Sequence, residues 1–209
     1  MKLRFGEQNI GEFYHVFNRG VEKKKIFHDK EDRERFLRLC RYCNQEEPLS
    51  SLKEFFESKR EKKICREKLL VEVYGFCILN NHFHFVLKQI RRGGISEFMK
   101  RISGGYANYY NKKYQRNGTL FQGKYKFILI KSESQLTKLI SYVNKNYKIH
   151  NSNDLMCSGN TEILSKNEFV LTNSQNVIAM FGGTNRYEEI SESLIQEIKS
   201  SRLKDSIYM

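Results

Sequence analysis

The distribution of apolar side chains along the chain predicts four β-strands. Each predicted strand is a short apolar run rich in β-branched and aromatic residues, and together they cover residues 10–18, 69–79, 82–90 and 125–130. Gly20 and Asn117-Gly118 supply turns beside the first and the fourth strand. Asn80-Asn81, between the second and third, tolerates the left-handed backbone of a tight turn, so we expect these two strands to form a hairpin.

Segments with helical spacing of apolar residues separate the strands. We place these helices after the N-cap Asp29, over residues 50–67, over residues 95–114, and from a cap at Ser132 or Ser134 to residue 148. Gly104-Gly105 lies within the third helix and is expected to break it in two. The order is the split β-α-β pattern of a ferredoxin-like or RRM-like fold. We therefore predict an α+β fold class with an antiparallel sheet and helices on one face.

The chain divides into a main domain and a C-terminal extension. The segment from His150 to Lys166 is polar and indicates a surface connection, and the helical spacing that follows is too short for an independent core. We therefore assign residues 1–150 to the main domain and residues 151–209 to a helical extension packed on it. The chain has no apolar run of about 18 residues and no signal peptide, so we expect a cytoplasmic protein without a membrane partner.

The balance of charge indicates a polyanionic partner. Lys and Arg number 37 against 24 Asp and Glu, which gives a net charge of +13 and a pI near 9.5. Between residues 101 and 127 the cations alternate with aromatic rings, a mixture that suits single-stranded nucleic acid, although many of these rings must also build the core. The cations that we expect to meet phosphate are Arg19, Arg101, Arg116, Lys124 and Lys126.

Two histidines in the third predicted strand form a candidate pair of metal ligands. His82 and His84 are two residues apart, so their side chains project from the same face of a strand. Without a third ligand, a purely structural role stays open. The predicted helix over residues 134–148 offers Tyr142 and Asn146, which are spaced i and i+4 and therefore share one face. An amide oxygen from Asn146 would complete a set that suits Mg²⁺ or Mn²⁺ acting on a phosphate.

Five segments carry a resemblance to a known family. In chain order they are Tyr14-His15-Val16-Phe17-Asn18-Arg19-Gly20, His82-Phe83-His84, Gly118-Thr119-Leu120-Phe121-Gln122-Gly123-Lys124-Tyr125, Tyr142-Val143-x-x-Asn146 and Val177-Ile178-Ala179-Met180-Phe181-Gly182. Together they resemble the HUH transposases with one catalytic tyrosine, especially the branch of REP-associated tyrosine transposases. The chain departs from the usual pattern at Asn81 and Tyr147, where the family commonly has proline. Loss of a proline should change the rigidity of a turn more than the chemistry.

The resemblance implies an activity and a set of site residues. His82, His84 and Asn146 would bind the metal, and Tyr142 would attack a phosphodiester of single-stranded DNA, leaving a 5′-phosphotyrosine and a free 3′-hydroxyl. The protein would act as a DNA strand transferase and endonuclease at hairpin-bearing ends, with residues 1–150 as its catalytic domain and Mg²⁺ or Mn²⁺ as cofactor. Some related transposases are dimers and REP-associated relatives act as monomers, so a homodimer is left open.

Two other functions compete with this interpretation. Tyr110-Asn111-Lys112-Lys113 fits the Tyr-x-x-Lys pattern of HUH replication initiators and relaxases, so Tyr110 is a rival nucleophile for a nickase of that type. A non-catalytic RRM-like module would bind RNA by stacking bases on its sheet, but histidines rather than stacking aromatics occupy the relevant face. His15 in the first strand fits either a packed residue or a DNA contact.

Overall fold

The structure, a computed structural model, describes residues 8–47, 68–149, 158–164 and 171–201. The helix predicted over residues 50–67 lies outside the described residues, as does most of the polar connection that begins at residue 150.

Four antiparallel strands form one sheet in the order β2-β3-β1-β4. Their bounds are Phe13–Arg19 for β1, Val71–Leu79 for β2, His82–Gln89 for β3 and Lys126–Leu129 for β4. β3 pairs with β2 and with β1, so the predicted hairpin is confirmed and the strand that carries both histidines lies inside the sheet. The α+β class is likewise confirmed.

Seven α-helices accompany the sheet within the described residues. They are α1 (Lys30–Cys43), α2 (Gly94–Lys113), α3 (Glu133–Asn144), α4 (Asn146–Ile149), α5 (Gly159–Leu164), α6 (Ser174–Phe181) and α7 (Thr184–Ser200). The side chains of Asp29 and Ser132 cap α1 and α3, as predicted. The predicted break at Gly104-Gly105 is wrong, because α2 is continuous through both glycines. Ile102 and Tyr106, on either side of the pair, are fully buried, and their packing outweighs the low helix propensity of glycine.

The helices lie on both faces of the sheet. α1 and α2 cover one face, as expected for the ferredoxin-like order, and build the larger core with Phe83 and Phe85 of β3. α3 packs against β2 and β3 on the other face, where α5 and α6 contact β2 and α7 contacts α3. We call this second face the histidine face, because it carries His82 and His84. No helix in the described part of the chain has the length and apolar character needed to cross a membrane.

The C-terminal end of α3 is anchored to β2 by one asparagine. Asn144 is fully buried, and its Oδ1 accepts a hydrogen bond from the backbone N–H of Phe76 at 3.0 Å. A Cβ on Gly75 would lie 2.8 Å from that oxygen, so only glycine admits the close approach where β2 has an irregular register. α3 was expected to continue to residue 148, but it ends at Asn144, and α4 begins at Asn146.

Candidate active site on the histidine face

The strand register brings cations and histidines together on the histidine face. In the β1–β3 ladder Arg19 lies opposite His82, and Phe17 lies opposite His84. In the β1–β4 ladder Lys126 lies opposite the same Phe17. Because directly opposed residues of antiparallel strands point to the same face, two of the predicted DNA-binding cations share the face of the histidine pair.

The ring of His84 is held from behind by His15. Nδ1 of His84 lies 3.0 Å from Nε2 of His15, which is only 2% exposed. Burial lowers the pKa of His15 to about 4, so its imidazole is neutral near pH 7 and its Nε2 can accept a hydrogen bond from the Nδ1–H of His84. His15, for which the sequence left two roles open, is therefore a packed hydrogen-bond partner of His84.

The ring of His82 is held in the same way by Asn81. Nδ1 of His82 lies 2.6 Å from Oδ1 of Asn81, whose Nδ2 donates to the carbonyl oxygen of Lys23 at 3.0 Å. An amide oxygen can only accept, so Nδ1 of His82 carries the proton, and the lone pair of the neutral ring lies on Nε2. Histidines that bind metals are usually oriented by such a hydrogen bond from the other nitrogen.

Tyr142 on α3 lies beside this pair. Its ring centroid is 6.4 Å from that of His84, with the rings nearly perpendicular, and the His82 and His84 centroids are 4.9 Å apart. The tyrosine is partly buried against the core of the histidine face. Tyr142 therefore lies beside the two candidate histidine ligands, although 58 positions or more separate it from them in the printed chain.

Asn146 has the environment of a polar group that awaits a ligand. It is fully buried, and neither its Oδ1 nor its Nδ2 has a hydrogen-bond partner. An unpaired buried amide is unfavourable, and natural proteins retain few of them without a functional reason. No group of three or more His, Cys, Asp and Glu side chains could hold a metal ion within the described residues, so His82 and His84 would need an amide oxygen to complete a site.

Within the described residues, no helix packs on the β1–β4 half of the histidine face. α3 packs on β2 and β3, whereas on the β1–β4 side Phe17 and Arg19 are partly exposed and Lys126 and Ile128 are exposed. We call these four residues the open half of the face. An aromatic ring, an apolar side chain and two cations beside the histidines form a surface suited to a single strand of nucleic acid.

The remaining predicted DNA-binding residues differ in position. Lys124 is exposed in the loop before β4, and Arg116 lies over the ring of Tyr110 at 5.5 Å. The guanidinium of Arg101 is committed to the protein itself, since it contacts Glu97 at 2.7 Å and donates to the Gln45 carbonyl at 2.6 Å. These contacts give Arg101 a role in closing the C-terminal end of α1, and its position offers no support for a DNA contact.

The rival nucleophile Tyr110 lies on the opposite face of the sheet. It belongs to the core built by α1 and α2, and its hydroxyl lies 2.7 Å from Nε2 of His28. Several other aromatics between residues 101 and 127 are also core residues, with Tyr106 fully buried. Tyr110 therefore does not share the face that carries His82 and His84.

Comparisons with known proteins agree with this geometry. The family model described as "Transposase IS200 like" matches residues 12–146, which is more than half of the chain. A solved structure of a REP-associated tyrosine transposase bound to a REP hairpin is 11% identical with a TM-score of 0.53, over 85% of this chain and 93% of that one. The tRNA(His) guanylyltransferase of Saccharomyces cerevisiae is also 11% identical, over 90% of this chain and 79% of that one, but its TM-score of 0.39 is too low to indicate a shared fold. No curated protein sequence matches the chain. The chain belongs to the IS200-like transposase family.

Proposed function

We propose that this transposase cleaves and rejoins single-stranded DNA through a covalent bond to Tyr142. The observation that carries the proposal is the contact of the Tyr142 ring with His84, beside His82. The unpartnered amide of Asn146, at the start of the next helix, adds a third group suited to the same task. Family membership supports the class of reaction, and the arrangement of Tyr142, His82 and His84 supports their roles.

The three groups would hold a divalent cation, Mg²⁺ or Mn²⁺. Each histidine is oriented through Nδ1, so Nε2 is the nitrogen that would ligate, and Asn146 would add its amide oxygen. When bound, the cation supplies Lewis acidity to the phosphate. Two imidazole nitrogens and an amide oxygen suit a hard or borderline cation, whereas a soft metal prefers thiolate ligands.

Tyr142 performs the covalent step. Its phenolic oxygen attacks the phosphorus, the bond from phosphorus to the 3′-oxygen breaks, and that oxygen takes up a proton to leave as a 3′-hydroxyl. The phenol loses its proton in the attack, and the products are a 5′-phosphotyrosine and a free 3′ end. In the reverse direction the 3′-hydroxyl of another strand attacks the phosphotyrosine and releases Tyr142, so rejoining needs no external energy source.

The open half of the histidine face is the proposed path of the DNA strand. Arg19 and Lys126 would contact phosphates next to the one that is cleaved, and Phe17 would contact a base. The solved relative is bound to a REP hairpin, which supports hairpin-bearing single strands as substrates here.

The test is covalent capture of the DNA. The protein is incubated with Mn²⁺ and a pool of labelled hairpin-bearing single strands, and adducts are resolved on a denaturing gel. We expect an adduct with wild-type protein and with Tyr110→Phe, and none with Tyr142→Phe or after chelation. An adduct that persists in Tyr142→Phe and disappears in Tyr110→Phe would overturn the assignment. Binding that ignores the chelator, with no adduct in any variant, would instead support a non-catalytic RRM-like module.

A further inference from the structure

A second concave site lies next to the turn that precedes His82. It is a cavity of about 310 Å³, and its lining residues are Val21, Lys24, Lys25, Ile26, His28, Tyr110, Arg116 and Leu120. The volume is at the small end of the range for ligand pockets. Of these residues, only Arg116 has been described above as a candidate DNA contact.

The cavity combines an apolar wall with a cationic rim. Val21 is half-buried and supplies the accessible part of the wall, and the buried side chains of Ile26 and Leu120 lie behind it. Lys25 is exposed, and Arg116 is half-buried and stacks on the ring of Tyr110. Neither cation has an ion pair within the described part of the chain. A bare anion would leave the apolar wall unused, and an apolar ligand would leave the cations unused. A nucleotide, with a flat base and a phosphate, uses both.

Backbone hydrogen bonds fix this cavity to the histidine site. The backbone N–H groups of Gly20 and Ile26 both donate, at 2.8 Å, to the turn between β2 and β3, to the carbonyls of Asn81 and Asn80 respectively. Asn81 also binds Lys23 and orients His82, so a single turn supports the cavity on one side and the histidine on the other. The cavity and His82 are therefore connected through this turn, and a DNA strand that continues past the turn from His82 meets the cavity.

Left-handed backbone at residues other than glycine is concentrated around the cavity. Within the described residues it occurs at Glu22, Lys23 and Gln115, which precede the lining residues Lys24 and Arg116. Such conformations are unfavourable for residues with a Cβ and persist where function requires them. This agrees with a built site rather than an incidental gap.

We propose that this cavity binds one nucleotide of the single strand that Tyr142 cleaves. The base lies against Val21, in front of Ile26 and Leu120, and its phosphate pairs with Lys25 and Arg116. The cavity thereby sets which phosphodiester reaches His82 and His84, because the bound nucleotide fixes the register of the strand. The inference rests on the proposed function for the identity of the strand, but its test measures binding alone.

The test scans a cleavable hairpin-bearing oligonucleotide with single abasic positions. Binding to Tyr142→Phe protein is measured by fluorescence anisotropy in the presence of a chelator, so that no cleavage or metal enters the result. We expect one flanking position at which loss of the base weakens binding by about 10-fold, as is typical for a stacked base. Arg116→Ala and Lys25→Ala, each added to this protein, should weaken binding of the intact strand and make that position insensitive. Each should also reduce the salt slope by about 0.7, the value for one phosphate contact on a single strand.

Lys199→Ala serves as the matched control, because Lys199 is an exposed cation on α7, on the other face of the sheet. The Lys199→Ala protein should still bind the strand more weakly when the base at the sensitive position is removed. The inference is overturned if no position is sensitive, or if the sensitive position survives in both cavity variants. Since adduct formation by wild-type protein is scored separately, a failure of the proposed chemistry leaves the abasic scan readable.

Discussion

At the scale of single residues, the histidine pair depends on the partners that stand behind it. Asn81 donates to the Lys23 carbonyl, which turns its amide oxygen toward Nδ1 of His82. His15 holds the ring of His84 through a contact with its Nδ1. Burial lowers the pKa of His15, so this imidazole stays neutral. Each partner holds its histidine in one ring orientation through Nδ1, and Asn81 also selects the tautomer of His82, so both Nε2 atoms face away from these hydrogen bonds before a ligand arrives.

Replacing Asn81 by alanine should therefore weaken metal binding without removing a ligand. His82 loses the acceptor that holds its Nδ1–H, and we expect Mn²⁺ affinity, measured by isothermal titration calorimetry, to fall by about 10-fold. Asn117→Ala removes an exposed turn asparagine away from the histidines and should bind Mn²⁺ as wild type does. Equal affinity in the Asn81→Ala protein would mean that the hydrogen bond has no part in preparing the site.

The sequence identified the histidines but not their partners. A spacing of two in an apolar run is a local signal, and it predicted the shared face of His82 and His84 correctly. The partnership of His15 with His84 joins residues 69 positions apart and depends on the strand register, which the sequence does not display. In the sequence, Asn81 was identified as a turn residue and as a position where the family commonly has proline, but not as the partner of His82. Net charge likewise does not show which cations can reach DNA. Arg101 donates to a backbone carbonyl of the protein, whereas Arg19 lies on the open half of the histidine face.

At the scale of elements, the position of α3 is set at its C-terminal end. Asn144 fills the space above Gly75, the Ser191 hydroxyl donates to Ser141 at 2.9 Å, and Lys145 contacts Glu192 at 2.5 Å. All three contacts lie within three residues of Tyr142 along the helix. The position of Tyr142 therefore depends on the contacts that α3 and its C-terminal end make with β2 and with α7.

Glu192→Gln should loosen this attachment. Lys145 is only 1% exposed, and the substitution leaves its ammonium buried without a carboxylate. We expect the free energy of unfolding to fall by about 2 kcal/mol and the rate of adduct formation to fall with it at temperatures where the protein stays folded. Glu189→Gln removes an exposed carboxylate of the same helix and should change neither quantity. A Glu192→Gln protein with unchanged unfolding and unchanged rate would exclude a positioning role for α7.

Helix boundaries show where local signals fail. The caps Asp29 and Ser132 were predictable, because capping depends on neighbouring residues. The continuity of α2 through Gly104-Gly105 and the end of α3 at Asn144 depend on packing against other elements, and neither was predicted. The division into residues 1–150 and 151–209 stays a prediction.

At the scale of the whole molecule, the face opposite the histidines supplies much of the stability. Asp32 of α1 is fully buried and accepts hydrogen bonds from Lys113 at 2.9 Å, from Tyr114 at 2.8 Å and from the backbone of His28 at 2.8 Å. Burial raises the pKa of this carboxyl, but the hydrogen bonds outweigh burial, and the net pKa lies below the ordinary value. Asp32 thus joins α1 to the end of α2 as an anion.

The protein should lose stability on acidification for this reason. A carboxyl whose pKa is lower in the folded state stabilises the fold above its unfolded pKa of about 4, and the contribution disappears as the pH falls through the folded pKa. Asp32→Asn should lower the free energy of unfolding by about 3 kcal/mol at neutral pH and flatten its decline in acid, as measured by urea unfolding across pH. Glu34→Gln, which removes an exposed carboxylate of the same helix, should keep the wild-type profile. An identical acid profile in Asp32→Asn would assign the decline to other groups.

The attachment of α3 to its own sheet has a consequence for how much protein a cell needs. Tyr142 and both histidines lie together within one folded chain, and α7 of the same chain packs against α3. Under the proposed function, the tyrosine that attacks the DNA would act beside the histidines of its own chain. A transposase built in this way keeps its capacity to cut even when it is present at only a few copies.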